Sequence, residues 1–143
     1  MKIAARFPIA VHTLLCIDYF EGQERTTSEF IAGSVNVNPV IIRQVLQKLK
    51  AAELVEVERG VGGARLGRPA DQISLLDVFN AVEAVDGSLF GFHETPNPEC
   101  PVGRTIQPVL GTHLDTAQRA LEDSLARVTL ADLLAEVADK NAA

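Results

Sequence analysis

Cysteine is scarce in this chain: Cys16 falls in an apolar stretch, Cys100 lies far away in a polar one, and there are no others. Two isolated thiols cannot build the disulfide framework of a small secreted domain. Long apolar runs are missing as well. The longest near the start, Ile9-Ala10-Val11 with Leu14-Leu15-Cys16-Ile17, is interrupted by His12, Thr13 and Asp18. It is too short to span a bilayer and lacks a signal-peptide cleavage pattern, so a cytoplasmic location without membrane association is expected. Also missing are a phosphate loop, metal-ligand spacing and a third group to orient a cysteine–histidine pair, which argues against an enzyme and against a metal or cofactor. His12 reads as a partly covered helix residue. What is present in quantity is apolar: 47% of 143 residues, enough for one domain of modest core plus an appended helix.

Positive charge is in short supply too, with a net charge of −6, but its distribution is uneven. Residues 1–70 carry nine Lys and Arg against seven Asp and Glu, whereas residues 71–143 carry four against twelve. Between 39 and 68 the count is six basic to three acidic. A polyanion would meet a locally positive field there, on a protein whose bulk is acidic.

That basic stretch has a distinctive order. Thr27 or Ser28 can cap a short helix that Gly33-Ser34 brings to its end, and Val35-Asn36-Val37 reads as a turn. Asn38 then offers a second N-cap, and Pro39 occupies the first helical position, where a missing N–H costs nothing. In the helix expected over 39–52, Ile42, Val45, Leu46 and Leu49 recur at helical spacing. They leave Arg43, Gln44, Gln47, Lys48 and Lys50 on the other side. Arginine and glutamine can form paired hydrogen bonds with guanine and adenine edges, and lysines neutralise phosphates. A merely solvated helix face has the same pattern.

Residues 54–58, Leu-Val-Glu-Val-Glu, alternate as a strand does; Arg59-Gly60-Val61-Gly62-Gly63 turns, and Ala64-Arg65-Leu66 returns. The glycines allow positive backbone dihedrals and close approach to another backbone, with Arg59, Arg65 and Arg68 supplying charge around the tip. Helix, turn, helix and hairpin in this sequence form a winged helix-turn-helix, although a hairpin alone is equally an ordinary surface feature.

The chain resembles the Rrf2 family of small bacterial winged-helix regulators, which includes the IscR, NsrR and CymR types. The resemblance rests on Lys2-Ile3 through Phe7-Pro8, on Asn38-Pro39-Val40-Ile41-Ile42-Arg43-Gln44-Val45-Leu46, on Arg59-Gly60-Val61-Gly62-Gly63-Ala64-Arg65-Leu66, and on the run from Ile73 to Glu83. It implies a mainly α fold with a small β-hairpin wing and a long dimerisation helix. It also implies a homodimeric transcriptional regulator, expected to be a repressor, on a palindromic operator in double-stranded DNA. Asn38, Pro39, Val40, Arg43 and Gln44 would approach bases. Thr27 and Ser28 would donate to phosphate, Arg59, Gly62, Gly63 and Arg65 would make the wing contact, and Lys2 would add a backbone contact. Family members with an iron–sulfur cluster carry three closely spaced cysteines in the loop after the wing domain. Here that loop holds only Cys100, so the chain resembles the cluster-free, YwnA-like branch, and the effector is left open. A winged-helix module that binds protein instead of DNA remains an alternative.

The implied organisation is a DNA-binding part over 1–85, a sensor-type loop over 86–101, and a dimerisation helix with a tail over 102–143. Ahead of the reading head, a helix over 8–20 should bury Ile9, Val11, Leu14, Leu15 and Tyr19, with Cys16 in the core. After the wing, Ser74 and Asp77 come close to a capping box for an apolar helix over 74–85. Cys100 is a candidate redox thiol if a following helix start stabilises its thiolate, though Glu99 opposes this. From Ile106 the residues Leu110, Leu114, Ala117, Leu121, Leu125 and Val128 follow at spacings of 4, 4, 3, 4, 4 and 3. That heptad seam is suited to packing against a second copy. Thr129 should cap a short last helix over 130–137 before the tail frays.

Overall fold

The computed structural model describes residues 3–58, 62–85 and 89–142. Among these are six α-helices and one antiparallel hairpin. The helices are α1 (Arg6–Tyr19), α2 (Ser28–Val35), α3 (Pro39–Ala51), α4 (Leu75–Ala81), α5 (Ile106–Ala126) and α6 (Leu130–Ala142), and the strands are β1 (Val55–Val57) and β2 (Ala64–Leu66). A single apolar core joins α1, α2, α3, β1, β2, α4 and the start of α6. Leu14, Ile31, Ile42, Leu49, Ile73, Val78 and Leu130 are fully enclosed in it.

Helix α1 begins two residues earlier than its apolar pattern predicts, so Pro8 falls within the first turn, where a proline lacks no necessary donor. Its buried face is Ala10, Thr13, Leu14, Cys16 and Ile17. Tyr19, expected inside, is 46% exposed and stacks edge-on against Phe20 instead. Cys16 is a core residue, as its place among apolar neighbours implied.

The Ser74 hydroxyl accepts the Asp77 N–H and the Asp77 carboxylate accepts the Ser74 N–H, a complete capping box at the start of α4. The helix stops at Ala81, short of the expected 85. The chain turns there through Glu83, at φ +50°, which lets Val82 and Ala84 both enter the core. Arg6 of α1 donates to the carbonyl oxygens of Val82 and Glu83, satisfying acceptors left over at that helix end.

Helix α6 runs well past the expected 137, to Ala142. Thr129 and Asp132 form a second capping box at its start. The α5–α6 junction is also stitched to the start of α4 and the residue two before it: Leu75 N–H donates to the Val128 carbonyl and Leu130 N–H to the Ile73 carbonyl, each at 2.9 Å. These bonds carry Leu125 and Leu130 onto the core, so part of the leucine seam serves its own chain.

Candidate nucleic-acid interface

The Thr27 hydroxyl accepts the Phe30 N–H at 3.1 Å and starts α2, settling which of the two candidates is the cap. The helix ends at Asn36, a left-handed residue at φ +66°; its N–H and that of Val37 both return to the Ala32 carbonyl. One residue later the Asn38 side chain accepts the Val40 N–H at 2.9 Å, with Pro39 opening α3. Two caps this close force the chain from one helix axis to another within three residues. The result is the helix-turn-helix.

Burial of Ile42, Val45, Leu46 and Leu49 fixes the rotation of α3 and points Val40, Ile41, Arg43, Gln44, Gln47 and Lys50 into solvent. Lys48 does not belong to that exposed stripe. It is half-buried and pairs with Glu83 at 3.5 Å, on the side toward α4. Between α3, the first turn of α2 and the wing lies a shallow groove of about 250 Å³, lined by Ser28, Arg43, Leu46, Gln47, Lys50 and Val57.

The wing is registered Val55 to Leu66, Glu56 to Arg65 and Val57 to Ala64. Beyond it the Glu58 N–H donates to the Gly63 carbonyl, and Gly62 and Gly63 adopt φ of +73° and +102°, which only glycine takes readily. The buried Thr26 hydroxyl donates to the Ala64 carbonyl at 2.9 Å. Gly62 lies beside Thr27, whose methyl would stand at an ordinary contact distance of 3.5 Å from a β-carbon placed there. The wing base and the N-terminus of α2 are thereby held together, and Thr27, Ser28, Gly62 and Gly63 are brought to one place. Lys2 and Arg59 lie outside the described residues.

Arg43, Arg65 and Arg68 each have a carboxylate partner. Arg65 lies 3.3 Å from Glu58 and 3.8 Å from Glu56, across the hairpin. Arg43 Nη2 donates to Glu29 Oε1 at 2.6 Å. The backbone N–H at Glu29 and then the Arg43 guanidinium hold the Glu29 carboxyl below the usual carboxylate range. Arg68 pairs with Asp77 at 3.2 Å and so braces α4 instead of the wing tip. Glu29 was not legible as part of the site, because it meets Arg43 only when the turn folds α2 against α3.

A second cleft, of about 770 Å³, lies between α1 and α6, with no Lys, Arg, Asp or Glu in its lining. The segment before α5 is a run of turns in which Cys100 N–H donates to the Asn97 carbonyl. Cys100 is exposed, and backbone N–H groups of Gly103 and Val102 lower its pKa from the ordinary thiol value. The residues immediately following it are turns; α5 starts at Ile106, where its expected seam begins, with Thr105 at the N-cap position, so no helix start lies directly at Cys100. Among the described residues no helix is long and apolar enough to cross a membrane.

Two crossed helices, a capped turn and a glycine-tipped hairpin make this a winged helix-turn-helix protein. Residues 3–136 match Rrf2, described as an iron-dependent transcriptional regulator, and the chain belongs to that family. It is similar to YwnA of Bacillus subtilis, named as a candidate HTH-type transcriptional regulator, with 42% identity over 92% of this chain and 96% of YwnA. Its fold matches a crystal structure described as a candidate DNA-binding protein, at TM-score 0.73 and 38% identity over 91% of this chain and 99% of that one. It also matches IscR of T. potens at TM-score 0.71 and 22% identity, over 96% and 88% of the two chains. The fold and the family are thus those of DNA-binding transcriptional regulators.

The iron of the family description finds a poor donor set in this chain. Iron–sulfur clusters are held by several thiolates, whereas Cys16 is enclosed in the core and Cys100 stands alone on an exposed turn. No group of three or more His, Cys, Asp or Glu among the described residues could hold a metal ion. A cluster does not fit these residues.

Proposed function

We propose that this protein is a sequence-specific repressor that binds a palindromic operator as a homodimer, without an iron–sulfur cluster. The observation carrying this reading is the outward face of α3, where Arg43, Gln44, Gln47 and Lys50 stand clear of the core beside the wing. Side chains of this kind on a protruding helix fit a major groove. Asn38, Pro39 and Val40 occupy the leading end of that helix, Thr27 and Ser28 the start of α2, and Gly62, Gly63 and Arg65 the wing. We assign the first group to bases and the other two to the flanking phosphates.

Dimerisation through α5 is supported by area. The chain exposes 9104 Å², whereas a compact monomer of 15.4 kDa exposes about 7,200 Å². The excess of roughly 1,900 Å² is of the size one subunit of an obligate dimer hides. Ile106, Leu110, Leu114 and Ala117 lie on the half of α5 farther from the core, with Leu110 39% exposed. Leu121, Leu125 and Val128 continue the seam toward the α4 side. In this organisation residues 1–85 read DNA, 86–101 form a sensor-type loop and 102–143 pair the subunits.

Retention on DNA-cellulose that falls steeply with salt, and mobility shifts that distinguish a selected duplex from a scrambled one, support this function. Salt-insensitive retention, or no retention, supports a protein-binding winged helix instead. The exposure and lowered pKa of Cys100 favour a thiol-based redox signal as the second reading of how occupancy is controlled.

A further inference from the structure

The central arginine of the reading face is not idle in the DNA-free protein. Arg43 Nη2 lies 2.6 Å from Glu29 Oε1, and both side chains are more than half exposed, at 51% and 65%. Glu29 stands on the first turn of α2, beside the cap residue Thr27 and within the end of the helix assigned to phosphate contact. Its carboxylate is therefore an anion already seated where DNA would bring one.

We propose that Glu29 is a specificity-determining residue, an internal competitor that occupies Arg43 until a duplex offers the guanidinium a better partner. The inference rests on the DNA-reading function proposed above. An exposed ion pair is worth a factor of about five or less, so it can be exchanged. A phosphate merely replaces one anion by another and also approaches the Glu29 charge, giving little gain. A guanine edge accepts two parallel hydrogen bonds from Arg43 and improves binding by roughly tenfold or more over a wrong base. The carboxylate thus keeps Arg43 from the phosphates of a wrong duplex, whereas on a correct one the guanidinium exchanges it for the base edge at the small cost of the pair. This selectivity suits an acidic protein with a small basic patch, because it limits retention on bulk DNA.

The test uses the full chain and fluorescence anisotropy on two probes: a duplex recovered by in-vitro selection with the wild-type protein, and a scrambled duplex of the same composition. Glu29→Gln is a surface change, and circular dichroism checks that the fold is kept. It should tighten scrambled binding about three- to tenfold and selected binding by a clearly smaller factor, so that the ratio of the two affinities falls. It should also steepen the salt dependence on scrambled DNA by about one phosphate contact, as Arg43 becomes free to engage it. In an Arg43→Ala background the same change should have no effect on the ratio of the two affinities. An unchanged ratio in the single variant, or an equal effect with and without Arg43, overturns the proposal. Loss of selected binding in Glu29→Gln also overturns it, since Glu29 would then be orienting Arg43. A wild-type protein that selects no duplex removes the DNA-reading function itself, a different failure.

Discussion

Thr26 and Ala64 are joined by a hydrogen bond of 2.9 Å that ties the segment before α2 to the first residue of β2. The threonine is 4% exposed, so water does not compete for the bond. Because the wing is only two three-residue strands, its position relative to α3 depends on such anchors.

Replacing Thr26 with valine keeps the volume and leaves the buried Ala64 carbonyl without this donor. A loss of about 1–3 kcal/mol is expected, read as a lower urea midpoint with unchanged slope. Affinity for DNA should fall further than stability alone accounts for, because the wing loosens. An unchanged midpoint would show that the wing is held elsewhere.

Two glycines should respond in opposite directions. A β-carbon at Gly67 would lie 2.4 Å from the Glu53 carbonyl oxygen, where α3 gives way to the wing, and neither backbone can retreat. Gly67→Ala should cost about 2–3 kcal/mol. Gly33, inside α2, has nothing within 4 Å of such a carbon. Gly33→Ala should add about 0.5–1 kcal/mol by restricting the unfolded chain and favouring helix. Thermal unfolding of both variants checks the pair, and equal shifts of the same sign would contradict the local geometry.

These contrasts mark how far the sequence could be read. Caps are local, so Thr27 or Ser28, Asn38 with Pro39, Ser74 with Asp77, and Thr129 could be named before any fold was known, and only the choice of Thr27 over Ser28 needed the structure. The periodicity of Ile42, Val45, Leu46 and Leu49 oriented α3 correctly for the same reason. What escaped depends on distant partners. Lys48 leaves the basic face because Glu83 waits on the far side, and α4 stops early because Val82 and Ala84 find room in the core. Leu125 and Leu130 are drawn inward by bonds to Ile73 and Leu75, which no heptad pattern reveals. The Glu29–Arg43 pair spans 14 positions and exists only across the folded turn.

Cys100 gives a pH-dependent prediction. Its pKa in the folded chain is lowered, first by the Gly103 N–H and then by that of Val102, which favour the thiolate. A lowered pKa raises the thiolate fraction at a given pH, so alkylation by iodoacetamide should reach half its maximal rate at a lower pH than in the unfolded chain. Linkage has the same sign: this thiol's contribution to stability is present above its unfolded pKa and lost as pH falls through its folded value. A midpoint at or above that of the unfolded chain would contradict the backbone donation.

Arg43 and Arg65 should fail in different ways. Arg43→Ala should weaken binding to the selected duplex by about 1–3 kcal/mol and relax the preference at one base pair of each half-site. Arg65→Ala should weaken binding to all duplexes by similar factors and reduce the salt dependence. Titrations on selected and scrambled DNA that show no difference between the two variants would reject these roles.

The most direct measurement is a hydroxyl-radical and methylation-interference footprint of the protein on its selected duplex. A pair of α3 helices related by a two-fold axis should protect two symmetric patches centred about 10 base pairs apart, with interference at guanines in successive major grooves. A single unsymmetrical patch, or protection without interference at any base, would contradict a dimer that reads sequence with α3.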